Sequence, residues 1–574
     1  MAERLIIKIT VFFVVTILVL FFITDLLLFL AAHPQVLVLL LGAVSLIGMC
    51  VLWVRQAMGP STAHGSARYA SLAEIKRAGM LFPTLLGKQQ QWLFLGHIGG
   101  IPKRVIALRE RVQQAHILMV APTRAGKSTR VIIPNLLEER GTRSLLVNDL
   151  KGELAALCTG SLSRFMPCYT FAPTMPEQSA GYNPLTYVSG LEDAQDIAEC
   201  IIRNSGGTSN EPFWDNAAKL LICAVLLHIK ATERDAPFHH LIDLLSLSMT
   251  HLRDTITRSP SPLARQVASA FFSSVAHNER LSGSIMTDVQ ARLLSLKIPA
   301  LQRVTSRNTI DLDTDKPLAI FLHIPADEAA RLKWLSSCFV MQLMKRLVNR
   351  ADHQKTWAFY LDELANMGYI PHYLEYLSYV GGLGISLIQA AQDFGQLERI
   401  YDQNGLSTIL ANSATQIVFP GCGLREATHY SESLGTTTTY SYGASWQQGA
   451  GRRRPTRNQT ETQRKLMTPD EIRTLPEGRL IVFSKNLHPF QVMNTPYFRE
   501  KRYVSRTKLA PINRVITPAK ETPPRALLPE RATTLNQPGT TTPTPPPEQP
   551  PMQSAPVPTP NTSEEPANRP DYLL

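Results

Sequence analysis

Two long apolar stretches open the chain, residues 5–30, broken by Lys8 and Asp25, and residues 36–54. Each is close to the roughly 20 residues a helix needs to cross a hydrocarbon core. The connection at 31–35 contains Pro34 and is very short, so the pair predicts a transmembrane hairpin. The first stretch is too long for a cleaved signal peptide, and a second span follows it. Arg4 and Lys8 flank the first span, and residues 55–111 carry nine Lys/Arg against Glu74 and Glu110. By the positive-inside rule both termini and the bulk of the chain face the cytoplasm.

The pattern changes beyond residue 57. Short apolar runs predict buried strands at 117–120, 144–147, 318–322, 357–361, 384–388, 414–419 and 479–483. Ser71 followed by Glu74 reads as a helix cap with a capping box. Between 188 and 312 no strand alternation occurs. Helical periodicity takes over at 194–202, 213–229, 239–247 and 264–275, punctuated by Pro237, Pro260, Pro262 and Pro299. The expected organisation is therefore an α/β nucleotide-binding domain in two parts, 58–187 and 313–508, interrupted by an all-helical domain at 188–312. The anchor occupies 1–57. A Pro/Thr-rich disordered tail occupies 509–574, with Pro545, Pro546 and Pro547 consecutive. The insertion is expected to project from the sheet as its own packed unit. Residues 443–462, rich in Gly, Gln and Arg, read either as a mobile loop facing DNA or as a solvated stretch.

Composition alters this picture little. The net charge of +12 favours an anionic neighbour, nucleic acid or membrane surface. Seven cysteines lie scattered with no Cys-x-x-Cys pair, so neither a zinc ribbon nor a disulfide framework is supported. The helical insertion is polarised, acidic over 191–250 and basic over 251–310, with no net charge overall.

The chemistry concentrates where strands end. Ile117 to Val120 leads into Ala121, Pro122, Thr123, Arg124, Ala125, Gly126, Lys127, Ser128 and Thr129, then into an apolar helical stretch. Strand, phosphate loop and helix form the layout of a P-loop. Gly126 lets the backbone approach phosphates, the N–H groups at the helix start face the anion, and Lys127 reaches the β and γ phosphates. Ser128 is placed to ligate Mg²⁺. The first Gly of the usual pattern is Ala121 here. A second apolar strand ends in Asp362 and Glu363, a Walker B pattern in which Asp362 holds Mg²⁺ and Glu363 polarises the attacking water. Gln392, after the strand at 384–388, reads as a γ-phosphate sensor or as a capping amide. Asp149, Lys151 and Glu153 follow another strand, as a ligand-facing loop or a local ion pair.

These residues resemble a known family, the type IV secretion coupling proteins of TraG/TraD kind. The resemblance rests on His64-Gly65-Ser66-Ala67-Arg68-Tyr69-Ala70, the P-loop with Ile133-Pro134-Asn135-Leu136-Leu137, Asp149 to Glu153, and Tyr182-Asn183-Pro184-Leu185. It continues through Leu361 to Gly368, Gln392 to Leu397, and Leu466 to Glu471. Ala121 is usual in that family. Two features depart from it: the segment between the spans is far shorter than the periplasmic domain many members carry, and Ser128 stands where many have Gly, leaving the Mg²⁺ hydroxyl to Ser128 or Thr129. The resemblance implies an inner-membrane, homo-hexameric ATPase that uses ATP and Mg²⁺, with a RecA-like P-loop domain and an all-helical domain. Such a protein delivers relaxase-bound single-stranded DNA, effector proteins, or both to the subunits of a type IV secretion channel. Lys127, Glu363 and Gln392 are then the catalytic candidates. An arginine from the neighbouring subunit, with Arg425 and Arg399 as candidates, completes the site. Two alternatives are an FtsK-like double-stranded DNA translocase and a membrane recruitment scaffold whose ATP site is structural. The helical insertion is assigned to cargo selection.

Overall fold

The computed structural model describes residues 35, 42–43, 45–50, 62–82, 92–99, 104–206, 212–276, 278–314, 316–350, 353, 355–446, 455–512 and 514–515. The transmembrane hairpin expected over 5–54 falls almost wholly outside them; 45–50 are helical and exposed. The Pro/Thr-rich tail beyond 515 also lies outside. Among the described residues, one helix, Pro212–Thr232, is long and apolar enough to span a membrane, and most of it is buried in the protein core.

The strands, in chain order, are β1 (Leu81–Phe82), β2 (Leu93–Ile98), β3 (Arg104–Leu108), β4 (Ile117–Val120), β5 (Ser144–Asn148), β6 (Cys168–Phe171), β7 (Ala319–Leu322), β8 (Trp357–Leu361), β9 (Ile385–Ala391), β10 (Thr415–Val418), β11 (Thr436–Trp446), β12 (Pro455–Lys465), β13 (Arg479–Ser484), β14 (Leu487–Met493) and β15 (Arg514–Val515). All but β11 and β12 join one mixed 13-stranded sheet in the order β1-β3-β2-β14-β13-β10-β4-β9-β8-β5-β7-β6-β15. From β10 to β15 neighbouring strands pair in parallel. Parallel strands of this kind are apolar throughout because both faces are covered. Side chains alternate between two cores: Leu118, Val120, Leu146, Ile320 and Phe359 face one, while Ile117, Met119, Leu145, Phe321 and Ala358 face the other.

The helical segment lies between β6 and β7. Its helices are Leu191–Asn204, Pro212–Thr232, His240–Leu245, Met249–Thr257, Pro262–Ser274, Glu279–Arg292 and Pro299–Thr305. One apolar cluster runs from Ala194 and Ile222 through Leu301 to the sheet residues Leu146 and Phe359. The amphipathic helices share the sheet's core because the long helix Ala326–Val348 is itself apolar on several sides, burying Trp334, Phe339 and Met344. Its charges are also partly paired internally: Arg292 lies 3.5 Å from Asp215, an acidic-half residue.

Two differences from the sequence reading concern its polar stretches. Much of 443–462 is not loop. β11 and β12 form an antiparallel two-stranded ribbon from Thr436↔Lys465 to Trp446↔Pro455. The β-branched Thr436 to Thr439, with Tyr440 and Tyr442, favour the extended chain, and Thr439 and Thr462 meet across the ribbon at 3.2 Å. The ribbon's base is held by residues 65–67: Ala67 N–H donates to Thr436 O at 2.9 Å, and Thr438 N–H to Gly65 O at 3.2 Å. Gly65 has φ +141, and a Cβ there would sit 2.2 Å from Thr436 O, so the approach requires glycine. The tail boundary expected at 509 is also too early. Ile512 N–H donates to Ser163 Oγ at 3.0 Å, and β15 pairs in parallel with Cys168 and Tyr169.

Candidate functional site

β4 lies beside β9, and the helices that follow the two strands cover opposite faces of the sheet, Ile133 and Leu137 packing into one core and Leu397 and Leu406 into the other. Open α/β sheets place ligands beyond the C-terminal ends of strands at such a point. The loop leaving β4 continues the ladder for one residue, Ala121 N–H donating to Ala391 O at 3.0 Å. It then turns through Arg124 at φ +65 and Gly126 at φ +91. A Cβ at 126 would lie 2.8 Å from Arg130 Nε, a second reason for glycine. Arg130 is itself fixed: its guanidinium donates to Asn494 O at 2.7 Å and pairs with Glu477.

The helix after the loop starts as a single π turn, Ser128–Ile132, before continuing as Ile133–Glu138. Asn135 in this helix fastens it to β2: it accepts from Phe94 N–H at 2.6 Å and donates to Phe94 O at 2.9 Å.

Because β9 separates β4 from β8, the ends of all three converge. Lys127 Nζ lies 2.7 Å from Glu363 Oε2. Ser128 Oγ lies 3.0 Å from each oxygen of Asp362. Thr123 Oγ1 donates to Gln392 Oε1 at 2.9 Å, and Gln392 Nε2 donates to Glu363 Oε2 at 2.9 Å. Thr129 turns away, its hydroxyl donating to Gly126 O at 3.3 Å. Gln392 is not a helix cap; Asp393 fills that role, accepting from Gln396 N–H at 2.8 Å. Glu363 Oε1 is buried and has no hydrogen-bond partner among the described residues.

Asp149, at the end of β5, is buried, and its carboxylate accepts from Ala155 N–H at 2.7 Å at the start of the helix Glu153–Leu162. Burial holds its carboxyl above the usual range. Asp362 is raised as well, first by burial and then by Glu363 and Asp149, while Lys127 and the Ser128 hydroxyl act in the opposite direction. The site is thus a knot of oxygen donors with Lys127 as its near cation, a set suited to a hard divalent ion. Lys151 and Glu153 remain outside the knot: Lys151 is exposed, and Glu153 opens a helix.

The residues expected at the phosphate loop and at the ends of β8 and β9 thus form two contact sets side by side, Thr123, Gln392, Glu363 and Lys127 in one and Ser128 with Asp362 in the other. Sequence reasoning missed Asn148, whose Nδ2 donates to Glu363 O at 3.3 Å, and the anchoring role of Arg130. Asn148 sits in the strand-end motif already singled out, one residue before Asp149. Arg425, a candidate for completing a neighbouring site, is exposed and pairs with Glu398 at 2.6 Å.

The fold and this constellation define a P-loop nucleotide-binding protein with a mixed α/β sheet. The chain belongs to the type IV secretory system conjugative DNA transfer family, whose model matches residues 66–514, and is a type IV coupling protein. It is 27% identical over 489 residues to the conjugal transfer protein TraG of Escherichia coli, covering 75% of each chain. It is 24% identical over 456 residues to VirD4 of Agrobacterium fabrum, covering 76% of this chain and 66% of that one. Among solved structures it shares its fold with the conjugative coupling protein TrwB lacking its N-terminal segment, at a TM-score of 0.57 and 16% identity over 75% of this chain and 93% of that one. TrwB has been solved with the ATP analogue ADPNP and with ADP and Mg²⁺.

Proposed function

We propose that this protein is an inner-membrane ATPase that recruits substrates, relaxase-bound single-stranded DNA, effector proteins or both, and delivers them to a type IV secretion channel. The observation that carries the reading is the contact of Lys127 and Ser128 with Glu363 and Asp362. It is the pairing of a phosphate-binding loop with a metal-and-base strand end.

The residues fit MgATP. The N–H groups from Gly126 to Thr129, at the start of the helix, would face the phosphates, and Lys127 would neutralise charge on the β and γ groups. Ser128 and Asp362 would hold Mg²⁺; their three oxygens already face one another, whereas the Thr129 hydroxyl is engaged elsewhere. Bound Mg²⁺ supplies charge neutralisation on the phosphate oxygens. Glu363 takes a proton from the attacking water, for which the unpartnered Oε1 is available. The bond to the γ-phosphorus forms as the β–γ bridging bond breaks, and ADP and phosphate leave. Gln392, held between Thr123 and Glu363, reports the state of the γ-phosphate to the helix that Asp393 starts. Subunits assemble as a hexamer on a two-span anchor with both termini cytoplasmic, and a neighbour's Arg425 or Arg399 completes each site. The helical segment selects cargo.

The test is ATP turnover by the full chain in membranes, with and without single-stranded DNA. Turnover that rises with DNA and disappears in Lys127→Ala supports the reading. A folded chain that binds ATP but does not hydrolyse it, with or without DNA, returns the protein to a recruitment scaffold.

A further inference from the structure

Glu363 leads into a turn that the helical segment grips from outside. The turn Leu364–Met367 ends at Gly368, whose φ is +75. Asn204, the last residue of the helix Leu191–Asn204, straddles the next peptide. Its Nδ2 donates to Tyr369 O at 2.9 Å and its Oδ1 accepts from Tyr369 N–H at 2.8 Å. The same Nδ2 group also donates to Cys200 O at 2.9 Å, so the amide is locked to its own helix as well. Asn204 is buried, and a paired amide there is costly to break.

Other groups close the grip. A Cβ on Gly368 would stand 2.1 Å from Asn204 Oδ1, so the amide occupies the space a side chain would need. The Ser337 hydroxyl donates to Tyr369 O. Tyr401 accepts from Ile370 N–H at 3.3 Å. The Arg203 guanidinium covers the Tyr369 ring at 4.4 Å. On the other side, Asn148 holds the carbonyl of Glu363. The catalytic carboxylate therefore sits on a short bridge with one pier in the sheet and the other in the helical segment. That second pier is tied deeper into the segment: Arg292 donates to Ile202 O at 2.9 Å and Ser205 O at 3.2 Å.

We propose that Asn204 is a positioning residue for Glu363: by pinning Gly368 and Tyr369 it fixes the bridge that carries the carboxylate, so the placement of the helical segment sets the rate of the chemical step. The proposal rests on the ATPase reading for its kinetic part only. It gives the helical segment a direct mechanical line to the chemistry without any residue in the phosphate site. A misplacement of about 1 Å in a reacting group costs on the order of a hundredfold in rate, so a loosened bridge has room to act.

The experiment uses the full chain in detergent micelles, with Asn204→Ala, Asn204→Asp and Gly368→Ala. Two readouts are kept apart. The first is amide hydrogen exchange of 364–370, which needs no turnover; it is expected to quicken at least about tenfold in Asn204→Ala and Gly368→Ala. The second is kcat against nucleotide Kd; kcat is expected to fall about tenfold or more with Kd within about twofold, a split that a merely unstable fold does not give. Asn204→Asp keeps the acceptor for Tyr369 N–H and loses the donor, so it should fall between. Unchanged exchange overturns the clamp. Faster exchange with unchanged kcat overturns the positioning role. If the wild-type chain hydrolyses no ATP, the ATPase reading falls and the positioning role with it, while the exchange data still decide whether the clamp exists.

Discussion

Lys127 Nζ lies 2.7 Å from Glu363 Oε2, so the cation meant for the phosphates and the base meant for water hold each other. Both side chains are largely withdrawn from solvent, at 15% and 4% exposure, which strengthens the attraction between them. In the proposed reaction Lys127 would turn to the phosphates, while Glu363 Oε2 would keep the Gln392 Nε2 donor at 2.9 Å. The pair offsets part of the site's negative charge and leaves Glu363 Oε1 as the oxygen open to water.

Lys127→Ala should keep the fold and lose turnover, by about a hundredfold to a thousandfold in kcat, because the lysine stabilises charge that develops in transfer. Phosphate release measured on folded protein checks this; a wild-type rate would remove Lys127 from the chemistry.

Glu363→Gln should bind ATP at least as tightly as wild type, since the amide no longer holds Lys127 as an ion pair. Turnover should drop by about a hundredfold to ten-thousandfold with the loss of the base. Titration with a fluorescent nucleotide separates the two effects. Weakened binding would assign Glu363 a structural or metal role instead.

The parts of this fold that were legible were local in sequence. Leu118 and Val120 before the loop, Lys127 after it, and the apolar run into Asp362 each carry their signal within a few residues. Partnerships across long separations were not legible. Nothing near Asn204 announces Tyr369, 165 residues on, and nothing near Gly65 announces Thr436. Composition misled twice. The Gly-, Gln- and Arg-rich stretch at 443–462 concealed Thr-rich strands that pair with each other, and the polar run after 509 concealed two residues that extend the sheet. The helical segment read correctly as helices, but periodicity gives the direction of an apolar face and not its partner, so its shared core with the sheet was invisible.

His116 should make the protein acid-sensitive. It is 2% exposed, at φ +59, and its Nδ1 accepts from Leu387 N–H at 3.3 Å, which requires the neutral ring. Burial pushes its pKa down to about 4. A depressed histidine contributes stability that is fully present above its unfolded value, near 6.5, and is lost as pH falls through 4. The loss should approach roughly 3 kcal/mol between those limits. Urea midpoints across this window check it. His116→Asn, which tolerates the positive φ, should flatten the curve there.

Asn135→Ala should cost about 2–4 kcal/mol, because it strands the N–H and C=O of Phe94 in a buried strand. The strand β2 should loosen first, seen as faster amide exchange at 93–98. A loss within 0–1 kcal/mol, on the order of a surface substitution, would mean that water replaces the amide.

Asp362 should make Mg²⁺ a stabiliser of the free chain. Burial is the main cause holding its carboxyl above the ordinary range, with Glu363 and Asp149 adding to it. A raised pKa contributes stability only below the unfolded value and loses it as pH rises through the folded one. Ionising this carboxyl is therefore a cost to the metal-free fold. Asp362→Asn removes that cost and keeps an acceptor for the Ser128 hydroxyl. In chelator, the variant should melt at or above the wild-type temperature at pH 7–8, on the order of two or more units above an ordinary aspartate pKa, and the difference should shrink as pH falls toward that value. Millimolar Mg²⁺ should raise the wild-type melting temperature and leave the variant where it was, since the charge that receives the ion is gone. The two scans pull in opposite directions, so general destabilisation by the substitution cannot mimic the result. An Asp362→Asn chain that melts lower in chelator and still gains stability from Mg²⁺ would place the ion on other ligands and leave Asp362 a purely structural acceptor for Ser128.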